Sequence, residues 1–214
     1  MKTLYLASGS ASRKILLNQA DIPFVVCLHS ANEESVSVQQ ALPAVVTAVA
    51  TLKMQHAGIP RGRHEGEICF VLTADSMGQL YDGRVVGKPS SYQELRDYLR
   101  AYHHGTTTGT AVCIERRIWR HGAWHTEEAA VGYAQATYRF VVPESWIDRY
   151  IDAVQRLDHL DLLQVSGGVS VEGYGAQFLT DIVGDYTAIV GLPMVSVREM
   201  LTSLGFWQQP ESPE

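Results

Sequence analysis

Apolar and polar positions repeat with two different periods along this chain, and the places where the period changes outline its elements. Residues 4–7 form a short apolar run that stops at a small-residue loop, Ser8-Gly9-Ser10-Ala11-Ser12. Over residues 13–20 the spacing becomes helical, with Ile15, Leu16 and Leu17 supplying an apolar side. The opening therefore reads strand, tight loop, helix. Residues 23–28 predict a second strand. Residues 38–57 predict a long helix with Pro43 near its start, where the missing N–H is tolerated. Ala41, Val45, Val46, Val49 and Leu52 recur at helical spacing, and Lys53 follows on the neighbouring face, the position of a surface lysine.

Residues 58–67 are polar and contain Gly and Pro, the pattern of a surface loop. Residues 68–72 are a continuous apolar run that ends at Thr73-Ala74-Asp75. That pattern predicts a buried strand delivering a carboxylate at its C-terminal end. Asp82-Gly83 marks a hairpin turn. Residues 91–102 predict a helix capped by Ser90 or Ser91. Residues 107–119 and 124–142 predict long strands joined at His121-Gly122, residues 143–154 a helix, and residues 195–204 a closing helix. Residues 166–175 are glycine-rich. Residues 1–206 read as one domain and residues 207–214 as a flexible tail.

Composition narrows the classes of function. The formal net charge is −6 and there is no Lys/Arg block, so a nucleic acid polymer or an anionic membrane surface is not the expected partner. A small anion remains possible, because a few local cations can focus a field that the net charge hides. The 3 cysteines are odd in number, widely spaced and set in apolar runs, and read as reduced thiols. No signal peptide or spanning segment is legible, so the expected compartment is the cytoplasm.

The candidate chemistry is dispersed. The loop of Ser8, Ser10 and Ser12 enters a helix, where backbone N–H groups and the dipole favour an anion, and Arg13 adds a planar cation. Asp75 stands at a strand end, the region open α/β sheets use for ligands. Lys88 lies between Gly87 and Pro89, and Glu33-Glu34 follows the second strand. His121, His125, Glu127 and Glu128 gather at a hairpin tip and are not read as a metal cluster. Each signal alone has an ordinary structural explanation, as a turn, a cap or a solvated charge.

Their order along the chain is more specific. The sequence resembles the Maf family of nucleoside triphosphate pyrophosphatases. Leu6-Ala7-Ser8-Gly9-Ser10-Ala11-Ser12-Arg13 is similar to that family's Leu-Ala-Ser-x-Ser-Pro-Arg-Arg loop. Asn32-Glu33-Glu34-Ser35 is similar to its Asp-Glu-Ser segment, which puts the family glutamate on Glu34. Leu52-Lys53, Ala74-Asp75-Ser76, Gly87-Lys88-Pro89, Glu172-Gly173-Tyr174-Gly175, Gly184-Asp185-Tyr186 and Val190-Gly191-Leu192-Pro193 follow in family order. The chain departs from the family at Ser12 and Ala11, which stand for an arginine and a proline. Gln164-Val165-Ser166 stands where the family has a lysine, and Glu172 replaces a glutamine. A 7-methyl-GTP branch shares the last two departures but carries a tryptophan at the position of Ser12.

The resemblance implies a mixed α/β fold like that of the inosine-triphosphate pyrophosphatases: a twisted central sheet flanked by helices, with two lobes around a deep cleft. It implies cleavage between the α- and β-phosphates, giving a nucleoside monophosphate and pyrophosphate with a divalent metal, Mg²⁺ or Mn²⁺. On that reading Glu34 and Asp75 hold the metal, and Asp75 is the general base or holder of the attacking water. Ser8, Ser10, Ser12, Arg13, Lys53, Ser76, Lys88 and Glu172 contact substrate. Ionised Glu172 offers only acceptors, which suits guanine's adjacent donors and favours a guanine-type triphosphate such as 7-methyl-GTP. The alternatives are a pyrimidine (dTTP/UTP) pyrophosphatase, or a non-catalytic nucleotide-binding regulator of cell division. A homodimer is also a family-level expectation.

Overall fold

The computed structural model describes residues 2–208. Its strands are β1 (Thr3–Ala7), β2 (Val25–Cys27), β3 (Ile68–Leu80), β4 (Val85–Val86), β5 (Thr106–Arg120), β6 (Ala123–Phe140) and β7 (Leu179–Gly184). Its helices are α1 (Ala11–Gln19), α2 (Leu42–Gln55), α3 (Tyr92–Ala101), α4 (Ile147–Leu157), α5 (Tyr186–Val190) and α6 (Met194–Ser203). The strands form one 7-stranded sheet in the order β2-β1-β3-β5-β6-β7, with β4 beside β3. β1 is parallel to β2 and β3, and the remaining pairs are antiparallel. This is the mixed α/β sheet flanked by helices that the sequence predicts.

The core divides into clusters that follow the sheet. Leu16 and Leu17 of α1 and Val197 and Leu201 of α6 pack with Leu4, Phe70, Leu72 and Ile114. Val46, Ala50 and Met54 of α2 pack with Val71, Ala111 and Cys113. The alternation of residues 70–72 explains this division, because successive strand side chains leave the sheet on opposite faces. A third cluster joins the far ends of the long strands to α3 and α4 through Leu80, Leu99, Tyr138, Phe140 and Tyr150. The long strands thus run through two packing centres, the two lobes expected of the fold.

Several boundaries differ from the sequence-based expectation. Helix α1 starts at Ala11, and its cap is Ser10, whose side chain accepts from Arg13 N–H. Helix α2 begins at Leu42 rather than at residue 38, which places Pro43 in its first turn, where proline's fixed φ is preorganised for a helix. Strand β3 does not stop after Leu72. It runs on to Leu80 because β5 pairs with it along its whole length, from Ile68↔Ile118 to Leu80↔Thr106. β7 is absent from the sequence reading, and its short, mostly exposed pattern gives no periodic signal. The β5–β6 hairpin is as expected, with His121 and Gly122 both at positive φ, 53° and 77°, the backbone a two-residue primed turn requires. Phe206 remains in the core, and Trp207 packs edge-on against it with ring centroids 4.7 Å apart. Residues 209–214 of the expected tail lie outside the described residues.

Candidate active site

The parallel part of the sheet ends where Leu6 pairs with Leu72. Beyond that point β1 turns into the Ser8–Ser10 loop while β3 continues, so Asp75 lies beside the entry to α1. The sequence predicts a carboxylate at a strand end, and the structure places it within a strand but past the end of the parallel pairing. The ligand-binding logic of a parallel sheet edge still applies there.

Asp75 is buried, at 6% exposure. Its Oδ1 accepts a hydrogen bond from Lys53 Nζ at 2.7 Å. Its Oδ2 is buried and has no hydrogen-bond partner. Burial pushes the Asp75 carboxyl above the ordinary carboxylate range, while Lys53 and Arg13 oppose that shift. A carboxyl shifted upward, with one oxygen unengaged, accepts a proton more readily than an ordinary carboxylate.

Lys53 is not the surface lysine its position suggests. It is 5% exposed, because it follows Val46, Val49 and Ala50 on the buried stripe of α2. Thr73 Oγ1 donates to Ala50 O at 2.8 Å and fastens that stripe to β3. Lys53 Nζ also lies 2.9 Å from Glu33 Oε2. One ammonium thus bridges two carboxylates. Burial tends to raise the Glu33 carboxyl, but the Lys53 hydrogen bond and charge outweigh it and hold the group below its ordinary range. Lys88 is exposed and adds to that effect, so its charge reaches the same pocket.

The carboxylate beside Lys53 is Glu33, whereas the resemblance assigned the role to Glu34. Both residues lie in a short 3-10 turn, Glu33–Ser35, and both are exposed; adjacent side chains diverge there, and it is Glu33 that reaches Lys53. We expect Glu33→Gln to lower turnover by about 10-fold or more, since it removes a charge-assisted contact, and Glu34→Gln to stay within about 2-fold. Equal effects in steady-state kinetics, or a larger effect at Glu34, would return the role to Glu34.

Arg13 also differs from expectation. The sequence offers it as a phosphate-binding cation; its side chain is buried, and three of its five N–H groups are used within the protein. Nε donates to Gly191 O at 2.8 Å, Nη1 to Ser8 Oγ at 3.2 Å and Nη2 to Ser76 Oγ at 3.2 Å. Burial lowers its basicity, and the charges of Asp75 and Glu33 restore part of it. Arg13 therefore ties the first loop to β3 and to the C-terminal segment. Asp185 builds that segment by capping α5: Oδ1 accepts from Thr187 N at 2.8 Å and Ala188 N at 3.3 Å. Gly191, at φ 122°, then turns its carbonyl toward Arg13.

Ser8 Oγ accepts from Ser10 N at 3.2 Å, and Ser10 caps α1. Ser76 Oγ accepts from Thr110 Oγ1 at 2.8 Å, and Ser76 O accepts from Ser166 Oγ at 2.5 Å. The sequence reading missed Thr110 and placed no role on Ser166, which in fact joins the glycine-rich turn to β3. It also missed His29, whose Nε2 lies 3.7 Å from Glu33 Oε1. The signal was its spacing, four residues before Glu33.

Ser12 and Glu172 line a separate small cavity of about 30 Å³ with Val165, Ser170 and Ile189. Burial raises the Glu172 carboxyl, and the nearby charge of Asp158 raises it further.

The buried Asp75 carboxylate, with the Lys53 and Arg13 cations beside it, lies past the ends of the parallel strands, the region open α/β sheets use for ligands. The Maf-like protein family model matches residues 3–204, and the chain belongs to that family. It is 31% identical over 205 residues to the dTTP/UTP pyrophosphatase of Bacillus mycoides, covering 94% of this chain and 95% of that protein. It is 30% identical over 209 residues to the dTTP/UTP pyrophosphatase of Halalkalibacterium halodurans, covering 96% and 98%. It is 33% identical over 204 residues to the dTTP/UTP pyrophosphatase of Bacillus cytotoxicus, covering 94% and 95%. Among the described residues no helix is long and apolar enough to cross a membrane.

Proposed function

We propose that this protein hydrolyses nucleoside triphosphates to a monophosphate and pyrophosphate, with Asp75 as the general base. The observation that carries the reading is the buried Asp75 carboxylate, bonded to Lys53 through one oxygen and unengaged at the other. Asp75 takes a proton from the water that attacks the α-phosphorus. Lys53 and Lys88, with the N–H groups that open α1, oppose the charge of the phosphates and of the leaving pyrophosphate. Arg13 acts indirectly, by holding the walls of the pocket together.

The donor set fits a hard divalent cation, Mg²⁺ or Mn²⁺, with Asp75 and Glu33 as its protein oxygens. Among the described residues no three His, Cys, Asp or Glu side chains form a ready-made cage. Such ions need only one or two carboxylates when substrate phosphates complete the shell. When bound, the cation supplies charge neutralisation and Lewis acidity at the phosphates.

For the substrate class, the relatives favour pyrimidine triphosphates over the guanine type that Glu172 alone suggests. The chemistry of Glu172 accommodates this. Thymine and uracil present an acceptor beside a donor, which glutamine matches, and a protonated glutamate matches it equally. Burial and Asp158 favour that protonated form. Once ionised, Glu172 offers acceptors only and suits guanine instead. The cavity it shares with Ser12 holds about one water, so its walls must part to admit a base.

The test is a nucleotide panel with pyrophosphate detection, run across pH. We expect dTTP and UTP to lead at low pH. Because the folded carboxyl is shifted upward, the pyrimidine-to-guanine ratio of kcat/KM should fall as pH rises through the Glu172 ionisation. Glu172→Gln should flatten that dependence and keep the pyrimidine preference. A ratio that is flat in the unmodified protein would remove Glu172 as the reader. Absence of pyrophosphate release from every nucleotide, with either metal, would refute the enzymatic reading and leave a nucleotide-binding regulator.

A further inference from the structure

Lys88 is an exposed cation whose backbone is held on both sides by one distant turn. The turn is Ser166–Gly168, in the stretch where Gln164-Val165-Ser166 stands in place of the family lysine. Gly167 N–H donates to the carbonyl of Gly87 at 2.8 Å, just before Lys88. Gly168 packs on Pro89, just after it: a Cβ on Gly168 would lie 3.1 Å from Pro89 Cγ and 2.5 Å from Leu95 Cδ1. Ser166 Oγ donates to the carbonyl of Ser76 at 2.5 Å, one residue beyond Asp75. Three consecutive residues thus tie the Lys88 loop to β3 beside its buried carboxylate.

The turn needs support of its own. Gly167 and Gly168 have φ of 73° and 63°, a left-handed backbone that interrupts regular pairing. Gly167 is buried, and a buried carbonyl left without a donor is costly. Tyr102 supplies the donor, with its hydroxyl 2.5 Å from Gly167 O. The fit is close, since a Cβ on Gly167 would lie 2.9 Å from that hydroxyl. Tyr102 is itself fully enclosed, in the core cluster that holds Val86, Leu95 and Leu99. Burial holds its phenol well above the ordinary range, so the hydroxyl stays a donor. The turn is therefore anchored to the core at one point and grips the Lys88 loop and β3 at the others.

We propose that Tyr102 and Ser166 are positioning residues that act through Lys88: they hold the 166–168 turn, and the turn sets where the Lys88 ammonium stands relative to Asp75 when a triphosphate is bound. The inference rests on the contact between Lys88 and phosphate in the proposed function. Its physical basis is entropic and geometric. A lysine side chain has many rotamers, and a fixed backbone root reduces the freedom that must be lost on binding. Removing the support leaves the charge on the protein and spoils the place where it is offered, and small misplacements of such a group are costly. The contacts that define the role of Tyr102 and Ser166 are all with protein atoms.

The experiment uses the full chain and the α,β-methylene analogue of dTTP, which keeps the triphosphate and cannot be cleaved between its α- and β-phosphates. In Tyr102→Phe, affinity for the analogue should fall by about 10-fold, while affinity for dTMP, which lacks the outer phosphates, should stay within about 2-fold. Ser166→Ala should act in the same direction, and Ser166→Thr, which restores the hydroxyl, should recover most of the loss. In a Lys88→Ala background, Tyr102→Phe should change analogue affinity by less than about 2-fold, because the cation it positions is gone. A merely structural role would weaken binding as much without Lys88 as with it. That additive result overturns the proposal, as does an unchanged analogue affinity in Tyr102→Phe, or no analogue binding by the unmodified protein. If Tyr102→Phe does not fold, the same cycle with Ser166→Ala and Lys88→Ala decides the matter. Because binding is read without turnover, a coupled cycle in a protein that releases no pyrophosphate counts against the proposed hydrolysis alone. An additive cycle in a protein that hydrolyses dTTP counts against this inference alone.

Discussion

Replacing Asp75 with asparagine should reduce pyrophosphate release by about 10²-fold or more, the range expected for loss of a positioned base. The substitution keeps the shape and the Oδ1 acceptor for Lys53, and it removes the charge. Stability should change little, because two effects oppose each other. The amide avoids the desolvation that raises the carboxyl, but Lys53 loses one of its two anionic partners. A fall in kcat with a nearly unchanged melt identifies a chemical role. Turnover within about 3-fold of the unmodified protein would instead make Asp75 a structural partner of Lys53, and the base would have to be sought elsewhere.

The fold was legible wherever periodicity persists. β1, the start of β3, the β5–β6 hairpin and the helices α1 to α4 and α6 all carry apolar patterns long enough to read. β7 does not, because its burial is slight and its neighbours are glycine-rich turns. The site was legible as a list of residues, and less so as an arrangement. Asp75 and Lys53 are in direct contact, and the Lys88 charge acts on Glu33 beside them. The glutamate that meets Lys53 is Glu33 rather than Glu34, and two consecutive glutamates in a 3-10 turn carry no periodic signal to say which one does. Arg13 shows a different limit: a loop arginine reads as a free cation until the carbonyl of Gly191, 178 residues away, is known to meet it. His29 was overlooked because its meaning depends on Glu33.

Lys53 supplies the second large expected effect, and it concerns stability. A helix lysine on a polar face contributes little to folding, and removing it usually shifts stability by less than about 0.5 kcal/mol. The residues around Lys53 predict otherwise. Val46, Val49 and Ala50 precede it on the same stripe of α2 and are fully buried, and Lys53 continues that stripe to Asp75. Breaking a buried ion pair by removing one partner costs about 3–5 kcal/mol, because the other charge is left uncompensated. Lys53→Ala should therefore lower the melting temperature by about 6–20 °C, at about 2–4 °C per kcal/mol for a chain of this size. The same change at exposed Lys88 should leave the melt nearly unaltered and act on nucleotide affinity. The cause can be separated from lost packing by a double substitution. Lys53→Met keeps the aliphatic volume, and adding Asp75→Asn removes the stranded charge. If the penalty is electrostatic, the double variant should recover stability relative to Lys53→Met, giving a coupling energy of about 1 kcal/mol or more. A melt within about 2 °C of the unmodified protein for Lys53→Ala, or strict additivity in the double variant, would show that the Lys53–Asp75 contact does not hold this part of the fold together.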